Sequence, residues 1–299
     1  MTARAVLAFV RLGRPLFLGG GFILYAIGAA VAAATGHAIA WHRYALGQLC
    51  VTSFQLMTHY ANDYFDLETD RANTTPTAWS GGSRVLLDGA LSPRVALVAA
   101  LVLAGIGGVS SFVLGRALAT LAAIAVLAWS YSAPPLRLCA RGLGEVTTAL
   151  VVTVLVPLLG FQLQAPDWRG LPLLALSIAP LALLQFAMLV AIEFPDAAGD
   201  AATGKRTLVV QLGTRRAATL YILTTLGAFA LAPAAYSLGL PGLTAIAIAV
   251  PAPLAMWRIA RLDVTAYDTL TFWGVALLVL TSACVLGSWL MNSSTLASS

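Results

Sequence analysis

Long apolar segments alternate with short polar ones along the whole chain. Each apolar segment holds about 17–25 residues, the length that an α-helix needs to cross the hydrocarbon core of a bilayer. The pattern predicts an all-α, polytopic membrane protein that forms one domain, residues 1–299, with no soluble domain between the spans. The nine predicted spans are 15–34, 43–61, 94–114, 116–133, 146–164, 171–192, 217–236, 241–257 and 270–290.

Composition supports the same class of protein. The sequence is 60% hydrophobic and 10% charged, whereas an ordinary soluble domain is about 25% charged. The net charge of +5 does not require a nucleic-acid partner, because basic loops are common on the cytoplasmic side of membrane proteins. The three cysteines and three histidines show no spacing typical of a zinc site or a disulfide framework.

The distribution of Lys and Arg predicts the orientation. If the N-terminus is cytoplasmic, only Arg43, Arg116 and Arg169 of the 17 basic residues lie on the opposite side. Short loops on the cytoplasmic side of a membrane protein are enriched in Lys and Arg. We therefore expect a multi-pass protein of the cell inner membrane, with its C-terminus on the opposite side. The N-terminus and the two longest polar loops, 63–93 and 193–216, are expected to be cytoplasmic.

Two acidic clusters interrupt this apolar chain, at residues 62–70 and 193–200. Together they hold seven of the 12 carboxylates. Charged groups at a membrane core are costly, so such a concentration indicates a functional site. Four predicted spans separate the clusters, and an even number of spans returns the chain to the same face. We therefore expect the two clusters to meet across one cavity.

Within each cluster the acids recur at helical spacing. On a continuing helix, residues at i, i+3 and i+7 fall within an arc of about 60°. Two facing rows of carboxylates favour a hard divalent cation, and Mg²⁺ is expected because it binds one or two carboxylates and keeps positions for a substrate phosphate. The two rows are Asp63, Asp66 and Asp70, and Glu193, Asp196 and Asp200.

Basic residues on the same predicted face complete the pattern. A diphosphate held between the rows would carry charge beyond that neutralised by metal, and Lys or Arg side chains bind phosphate well. The cations expected there are Lys205, Arg206, Arg84 and Arg137. Arg14, which precedes Pro15 at the start of the first span, is also within reach of the cavity.

A cation-coupled transporter is an alternative of a different class. Carboxylates within membranes often mark ion or proton pathways. Transporters usually place them near the bilayer midplane on broken helices, whereas these acids lie at predicted helix ends. The spacing therefore favours metal and diphosphate binding.

Three motifs resemble those of the UbiA-type intramembrane prenyltransferases, over nearly the full length of the chain. The matching residues are Asn62, Asp63, Asp66 and Asp70 for Asn-Asp-x-x-Asp-x-x-x-Asp; Asp196, Asp200, Gly204 and Lys205 for Asp-x-x-x-Asp followed by Gly-Lys; and Tyr131 to Pro135 for Tyr-Ser-x-Pro-Pro. The resemblance implies nine transmembrane helices around a central cavity that opens laterally to lipid. It also implies two Mg²⁺ ions, held by Asp63, Asp66, Asp70, Asp196 and Asp200.

The implied activity is Mg²⁺-dependent transfer of a prenyl group from a prenyl diphosphate to an aromatic small molecule within the membrane. The residues assigned catalytic roles are Asp63, Asp66, Asp196, Asp200 and Lys205. The residues assigned to substrate binding are Asn62, Asp70, Arg84, Tyr131, Arg137, Glu193 and Arg206. For Tyr131, contact with diphosphate or acceptor and simple anchoring at the interface are both open.

Residues 204–213 and 61–66 are similar to the menaquinone-pathway branch of this family, the 1,4-dihydroxy-2-naphthoate polyprenyltransferases. The expected acceptor is therefore a quinone precursor. A terpene cyclase is the alternative within the fold, because it uses the same ionisation without an external acceptor. The loop 71–92 is predicted to be irregular or only briefly helical, and its segment 80–84 either shapes the acceptor pocket or forms a flexible turn.

Overall fold

The chain is all-helical in a computed structural model that describes residues 3–297, with side chains described as far as residue 293. No strand occurs within residues 3–297, so the predicted fold class is confirmed. The α-helices in this range are α1 Ala3–Leu12, α2 Pro15–Ala34, α3 Trp41–Phe65, α4 Leu67–Ala72, α5 Pro93–Leu114, α6 Leu118–Ser130, α7 Gly144–Leu150, α8 Val156–Gln162, α9 Leu171–Glu193, α10 Ala197–Ala202, α11 Leu208–Ser237, α12 Gly242–Ala249, α13 Ala252–Ala260 and α14 Tyr267–Ala297.

Seven helical segments of the described chain are long and apolar enough to cross a membrane. They are Pro15–Ala34, Pro93–Leu114, Gly144–Gln162, Leu171–Glu193, Leu208–Ser237, Gly242–Ala260 and Tyr267–Ser293. The other two predicted spans also coincide with helices. However, α6 has only 13 residues, and α3 carries many polar side chains, including Gln48, Gln55 and Asn62. A membrane-spanning character is therefore supported, and the count of nine is not confirmed.

Helix α1 was not predicted as a separate element. Ala8 and Leu12 are buried against the bundle, while Val6 and Leu7 are exposed. The segment is too short to span a bilayer. A prediction based on apolar runs of span length therefore does not identify it as a helix. It ends just before Arg14, whose backbone adopts the left-handed conformation with φ 47° and starts α2.

The predicted span 146–164 is an interrupted helix. A π-helical turn at Val151–Leu155 separates α7 from α8. Pro157 follows it and cannot donate the usual backbone hydrogen bond. Val151, Val152 and Val156 line the internal cavity. Single π-helical turns inside α-helices are frequent at functional sites.

Helices α2 and α8 pack with their backbones nearly touching. A Cβ atom added to Gly28 would lie 1.8 Å from the carbonyl oxygen of Pro157, and one added to Gly160 would lie 2.2 Å from that of Tyr25. Small residues allow such close approach between membrane helices. This contact holds the interrupted helix against the wall of the cavity.

The polar connections that carry the motifs gather at one end of the bundle. Of the predicted loop 71–92, Arg71 and Ala72 belong to the end of α4, whereas 73–92 contains no α-helix and has left-handed backbone at Gly81, Gly82 and Arg84. The N-terminal end of α7 and the segment 203–207 lie at this same end, since Leu208 donates its backbone N–H to Glu145 Oε1 over 2.9 Å. The apolar core and the cavity occupy the interior below them.

Candidate active site

Each acidic motif spans a break between two helices. Helix α3 ends at Phe65 and α4 begins at Leu67, with Asp66 between them at φ −100° and ψ 10°. Helix α9 ends at Glu193 and α10 begins at Ala197, directly after Asp196. The expectation of one continuing helix for each row is therefore wrong. In the second motif Pro195 gives the reason, because proline has no N–H to continue the ladder.

The two motifs nevertheless meet, as the even number of intervening spans predicted. Thr69 on α4 and Thr203 after α10 share a hydrogen bond of 3.1 Å between their hydroxyls. A Cβ atom on Gly199 would lie 2.9 Å from the backbone nitrogen of Asn73. Only glycine allows α10 to approach the end of α4 so closely.

Lys205 connects the two acidic motifs. Its amine donates to Asp66 Oδ2 over 3.1 Å and lies 3.5 Å from Asp200 Oδ1, an ion pair without hydrogen-bond geometry. Asp66 and Asp200 are only 2% and 1% exposed. Gly204, at φ 78°, turns the chain back so that the backbone N–H of Lys205 reaches the carbonyl of Asp200. The turn holds the amine between carboxylates from both halves.

Asp63 is buried and bound from two sides. The guanidinium of Arg14 forms an ion pair with it, and the hydroxyl and backbone N–H of Ser83 also donate to it. Arg14 also donates to Asn62 Oδ1 over 3.0 Å. His59 contacts the residue before Arg14, since its Nδ1 lies 2.7 Å from the carbonyl oxygen of Gly13. A protonated Nδ1 is required for that bond.

Asn62 links the first motif to the Tyr-Ser-x-Pro-Pro segment. Its amide nitrogen donates to Asp66 Oδ2 over 2.9 Å and to Ser132 Oγ over 3.0 Å. Tyr131, next to Ser132, lines the internal cavity. The first motif and this segment, two of the three that carry the family resemblance, are thus in direct contact.

The loop 73–92 closes over both motifs. Asn73 donates its side-chain amide to Asp196 Oδ1 over 2.7 Å, and the Gly81 backbone N–H donates to Asp196 Oδ2 over 3.3 Å. A Cβ atom on Gly82 would lie 2.0 Å from Asp70 Oδ2. These contacts hold the segment 80–84 against both acidic motifs, and a role in shaping the acceptor pocket stays a prediction.

The other residues predicted to bind substrate lie in different surroundings. Arg137 lies 3.6 Å from Asp66 Oδ1. Arg84 donates to the backbone carbonyl of Asp70 over 2.6 Å, so it positions α4. Arg206 is exposed and its side chain has no hydrogen bond or ion pair within the described residues. Glu193 is buried, and its Oε2 has no hydrogen-bond partner.

Three further residues of the site had no role assigned from the sequence: Asn73, Ser83 within the segment 80–84, and Ser132 within the Tyr-Ser-x-Pro-Pro motif. Asn73 caps α4 and lies three residues beyond Asp70, and Ser83 precedes Arg84 in the glycine-rich loop. Their partners are between 20 and 123 residues away in sequence. Proximity to the motifs was the available signal, but the partners themselves were not visible.

Burial alters the protonation of the acids outside the membrane helices. Burial, together with the neighbouring Asp63 and Asp66, raises the pKa of Asp70 to about 7. Burial and the nearby Asp196 and Asp66 raise the pKa of Asp200 to about 6. A bound cation opposes such a rise because it favours the ionised carboxylate.

Some carboxylate oxygens in the site have an ion pair at most and no hydrogen bond. Asp66 Oδ1 and both oxygens of Asp200 are buried without a hydrogen-bond partner. Oxygen is the ligand type that Mg²⁺ prefers, so the donor set fits this ion. Within the described residues, however, no group of three or more His, Cys, Asp or Glu side chains is gathered for metal binding. A metal bound here would compete with Lys205 and Arg137 for Asp66 and Asp200.

An apolar cavity of about 220 Å³ adjoins the polar cluster. Arg14, Asn62 and Tyr131 belong to its polar end, and Ile124, Val156 and Leu278 are among its apolar wall residues. The arrangement therefore joins a charged compartment for an anionic head group to an apolar compartment for a hydrocarbon tail.

Comparison with known proteins agrees with this geometry. The UbiA prenyltransferase family model matches residues 22–270. Digeranylgeranylglyceryl phosphate synthases from two strains of Halobacterium salinarum are each 35% identical over 186 residues, which is 60% of this chain and 61% of each relative. The chain thus matches less than two thirds of the length of these relatives. Neither is a menaquinone-pathway enzyme, so the predicted branch is not supported.

Solved structures show the same fold. A structure reported for digeranylgeranylglyceryl phosphate synthase has a TM-score of 0.66 at 20% identity and covers 97% of this chain and 99% of its own. A UbiA homologue from Archaeoglobus fulgidus bound to GPP and Mg²⁺ gives 0.66 at 17% identity, covering 96% and 99%. An apo homologue from Aeropyrum pernix K1 gives 0.68 at 17% identity, covering 89% and 97%.

Proposed function

The chain belongs to the UbiA prenyltransferase family, and on this basis we propose that it is an enzyme that transfers a prenyl group from a prenyl diphosphate to an acceptor held in the membrane. The observation that carries the proposal is the position of Lys205 between Asp66 and Asp200, next to an apolar cavity. Cations and carboxylates lie at the polar end, where a diphosphate and its metal would bind. The cavity takes the prenyl chain.

The residues of the chain have distinct parts in the proposed reaction. Asp63, Asp66, Asp70, Asp196 and Asp200 would hold Mg²⁺, as the two ions that the family resemblance implies. Mg²⁺ supplies charge stabilisation to the departing diphosphate.

 Lys205, Arg14 and Arg137 neutralise phosphate oxygens from the protein side, as preorganised charges do at other sites of developing negative charge. The apolar wall around Ile124 and Leu278 excludes water, which protects the allylic cation from hydrolysis.

The identity of the acceptor is the more specific part of the proposal. We propose a hydroxyl-bearing prenylglyceryl phosphate, because the two relatives at 35% identity are named for digeranylgeranylglyceryl phosphate. An aromatic acceptor such as 1,4-dihydroxy-2-naphthoate is the second candidate, favoured by the resemblance of residues 204–213. A terpene cyclase would need neither acceptor. The three possibilities share the same ionisation step and differ in what captures the cation.

Diphosphate release tests the shared step. Purified protein in lipid nanodiscs is given Mg²⁺, a panel of dimethylallyl, geranyl and geranylgeranyl diphosphates, and geranylgeranylglyceryl phosphate, dihydroxynaphthoate or no acceptor, and it is expected to release diphosphate only when Mg²⁺ is present. Asp200→Asn should lower the rate by roughly 10²-fold or more, since a preorganised charge is removed. Asp263→Asn is the matched control, because Asp263 is exposed and accepts hydrogen bonds from Thr265. Absence of release with every donor would refute the enzyme proposal.

Mass spectrometry of the product then identifies the acceptor. Transfer to geranylgeranylglyceryl phosphate and not to dihydroxynaphthoate would support the glyceryl phosphate. The reverse result would support the quinone precursor. A cyclised hydrocarbon formed without either acceptor would replace both with the cyclase.

A further inference from the structure

Arg258 is a nearly buried cation that the proposed reaction does not use. It lies near the end of α13 and is 8% exposed. Its Nε is buried without a hydrogen-bond partner. Within residues 3–293, no hydrogen bond or ion pair of its guanidinium occurs. Burying a charge without a partner is unfavourable, so this side chain calls for an anion from outside the chain.

Aromatic rings hold the guanidinium in place. The Arg258 Cζ atom lies 5.8 Å from the ring centroids of both Trp257 and Trp273. Arg261 Cζ lies 5.0 Å from the Trp257 ring. Cation–π contacts use the faces of the rings and leave the N–H donors of both guanidinium groups free. Two arginines are thus fixed around shared rings with their donors still unused.

The surroundings place this cluster at the depth of lipid head groups. Met256, Trp257 and Phe272 are exposed apolar side chains next to the two arginines. In a chain that spans a membrane, tryptophan is enriched where hydrocarbon meets the polar head groups. The adjoining segment 265–269 lines a shallow pocket together with residues 75–77 of the loop over the candidate active site. The cluster therefore lies at the same end of the bundle as that site.

The nearby acids do not neutralise the cluster. Asp263 and Asp268 are exposed, and neither forms an ion pair with Arg258 or Arg261 in the described structure. The Oδ1 of Asp263 instead accepts from the backbone N–H and the hydroxyl of Thr265. Positive charge at this position is left for a ligand.

We propose that Arg258 and Arg261, held by Trp257 and Trp273, bind the phosphate of an anionic phospholipid at the edge of the bundle. A guanidinium group presents planar, paired donors that match phosphate oxygens. Basic residues near the membrane surface also attract anionic lipid. The acyl chains would lie against the exposed apolar surface that Met256 and Phe272 provide. The site is independent of the proposed transfer reaction.

Lipid retention measured by native mass spectrometry tests the site. The full-length protein is equilibrated in nanodiscs of equal parts phosphatidylglycerol and phosphatidylcholine, released, and weighed with its bound lipid. We expect wild-type protein to retain phosphatidylglycerol preferentially. The double variant Arg258→Gln/Arg261→Gln should retain it about tenfold or more weakly, because both guanidinium charges of the proposed phosphate site are lost.

The control is Arg215→Gln/Arg216→Gln, which removes two adjacent exposed arginines that have no ring contact in the described structure. Equal loss in the control would overturn the proposal, since general surface charge would then explain retention. Equal retention of both lipids by wild-type protein would also overturn it. Displacement of the lipid by millimolar inorganic phosphate would point to a free phosphate site in place of a lipid site.

A conservative variant distinguishes loss of the lipid site from misfolding of the double variant. Arg258→Lys keeps the charge but loses the planar pair of donors, so its phosphatidylglycerol retention should fall while its helical circular dichroism is unchanged. Unchanged retention in Arg258→Lys, together with unchanged retention in Arg261→Gln, would overturn the assigned site.

Discussion

At the scale of single residues, the candidate site depends on a small number of buried charge contacts. Asp63 is held by Arg14, and Asp66 and Asp200 are held by Lys205. In a low-dielectric environment, removing one partner of such a pair leaves the other charge uncompensated. These cations therefore affect both the structure of the empty site and its affinity for an anionic substrate.

Lys205→Met is expected to abolish diphosphate release, with a loss of roughly 10²-fold or more, because the charge between the two motifs disappears. Steady-state release of diphosphate measures this, and thermal unfolding reports any loss of stability. Arg206→Met is the matched control. Since the Arg206 side chain is exposed and lacks a partner in the described residues, its activity should stay within about twofold of wild type. Equal losses in the two variants would contradict the assigned role of Lys205.

These two neighbours also show what the sequence alone could establish. Both residues were predicted to lie beside the diphosphate, Lys205 as a catalytic residue and Arg206 as a substrate-binding one, because both follow the second motif on the same predicted face. The structure separates them, since the turn at Gly204 directs Lys205 inward and leaves Arg206 exposed. The order of residues in a motif gave their proximity to the site. The direction of each side chain depended on local backbone conformation that the motif does not encode.

At the scale of elements, short helices and a glycine-rich loop bring the motifs together. Four intervening spans correctly predicted that the motifs share one end of the bundle. The breaks at Asp66 and Asp196 were not predicted, because helical spacing alone cannot distinguish one continuing helix from two that meet at an angle. Pro195 offered a signal for the second break, whereas the first has no proline or glycine within it.

The close approach of Gly82, in the loop 73–92, to Asp70 leads to a testable prediction. Gly82→Ala should reduce diphosphate release at least about tenfold, because the added Cβ would overlap the carboxylate of Asp70 and misplace it by an ångström or more. Gly89→Ala provides the control, since Gly89 also has positive φ but has open space around it. Both changes carry backbone strain of about 1 kcal/mol. If Gly89→Ala lost as much activity, strain and not the contact with Asp70 would be responsible.

The interrupted helix 144–162 leads to a prediction about chain length. Val156 lines the cavity and lies about 18 Å along the helix from Gly144, away from the polar end. Val156→Phe should therefore shift donor preference from geranylgeranyl towards dimethylallyl diphosphate. Val146→Phe is the control on the same segment, because Val146 is 54% exposed on the outer surface. Rates of diphosphate release with each donor measure the shift, and an unchanged preference in Val156→Phe would show that the tail does not extend this far.

At the scale of the whole molecule, the bundle separates two chemically different ends. The acidic motifs, the loop 73–92 and the arginines that contact them, Arg14, Arg84 and Arg137, lie at one end. Arg169 lies at the other, before α9, whose 23 residues extend about 34 Å to the motif end. The seven apolar segments are consistent with a membrane that lies between these two ends of the bundle. The sidedness expected from basic residues remains a prediction.

Cysteine accessibility tests this sidedness. In a background with Cys50, Cys139 and Cys284 replaced, Arg169→Cys should react with a membrane-impermeant maleimide in intact spheroplasts. Glu68→Cys, exposed at the motif end, should react only in inverted vesicles, because the positive-inside rule places that end in the cytoplasm. Each site serves as the control for the other. The opposite labelling pattern would reverse the proposed orientation.

Lys205 is the only lysine in the 299-residue sequence, and its amine lies between Asp66 and Asp200. Apart from the N-terminus, an amine-specific acylating reagent therefore has one target in the protein. The two carboxylates raise the pKa of this buried amine, outweighing the lowering by burial, so acylation of the empty site should be slow. The extent of acylation of the peptide that contains Lys205 then reports whether the candidate active site is occupied, without any engineered label.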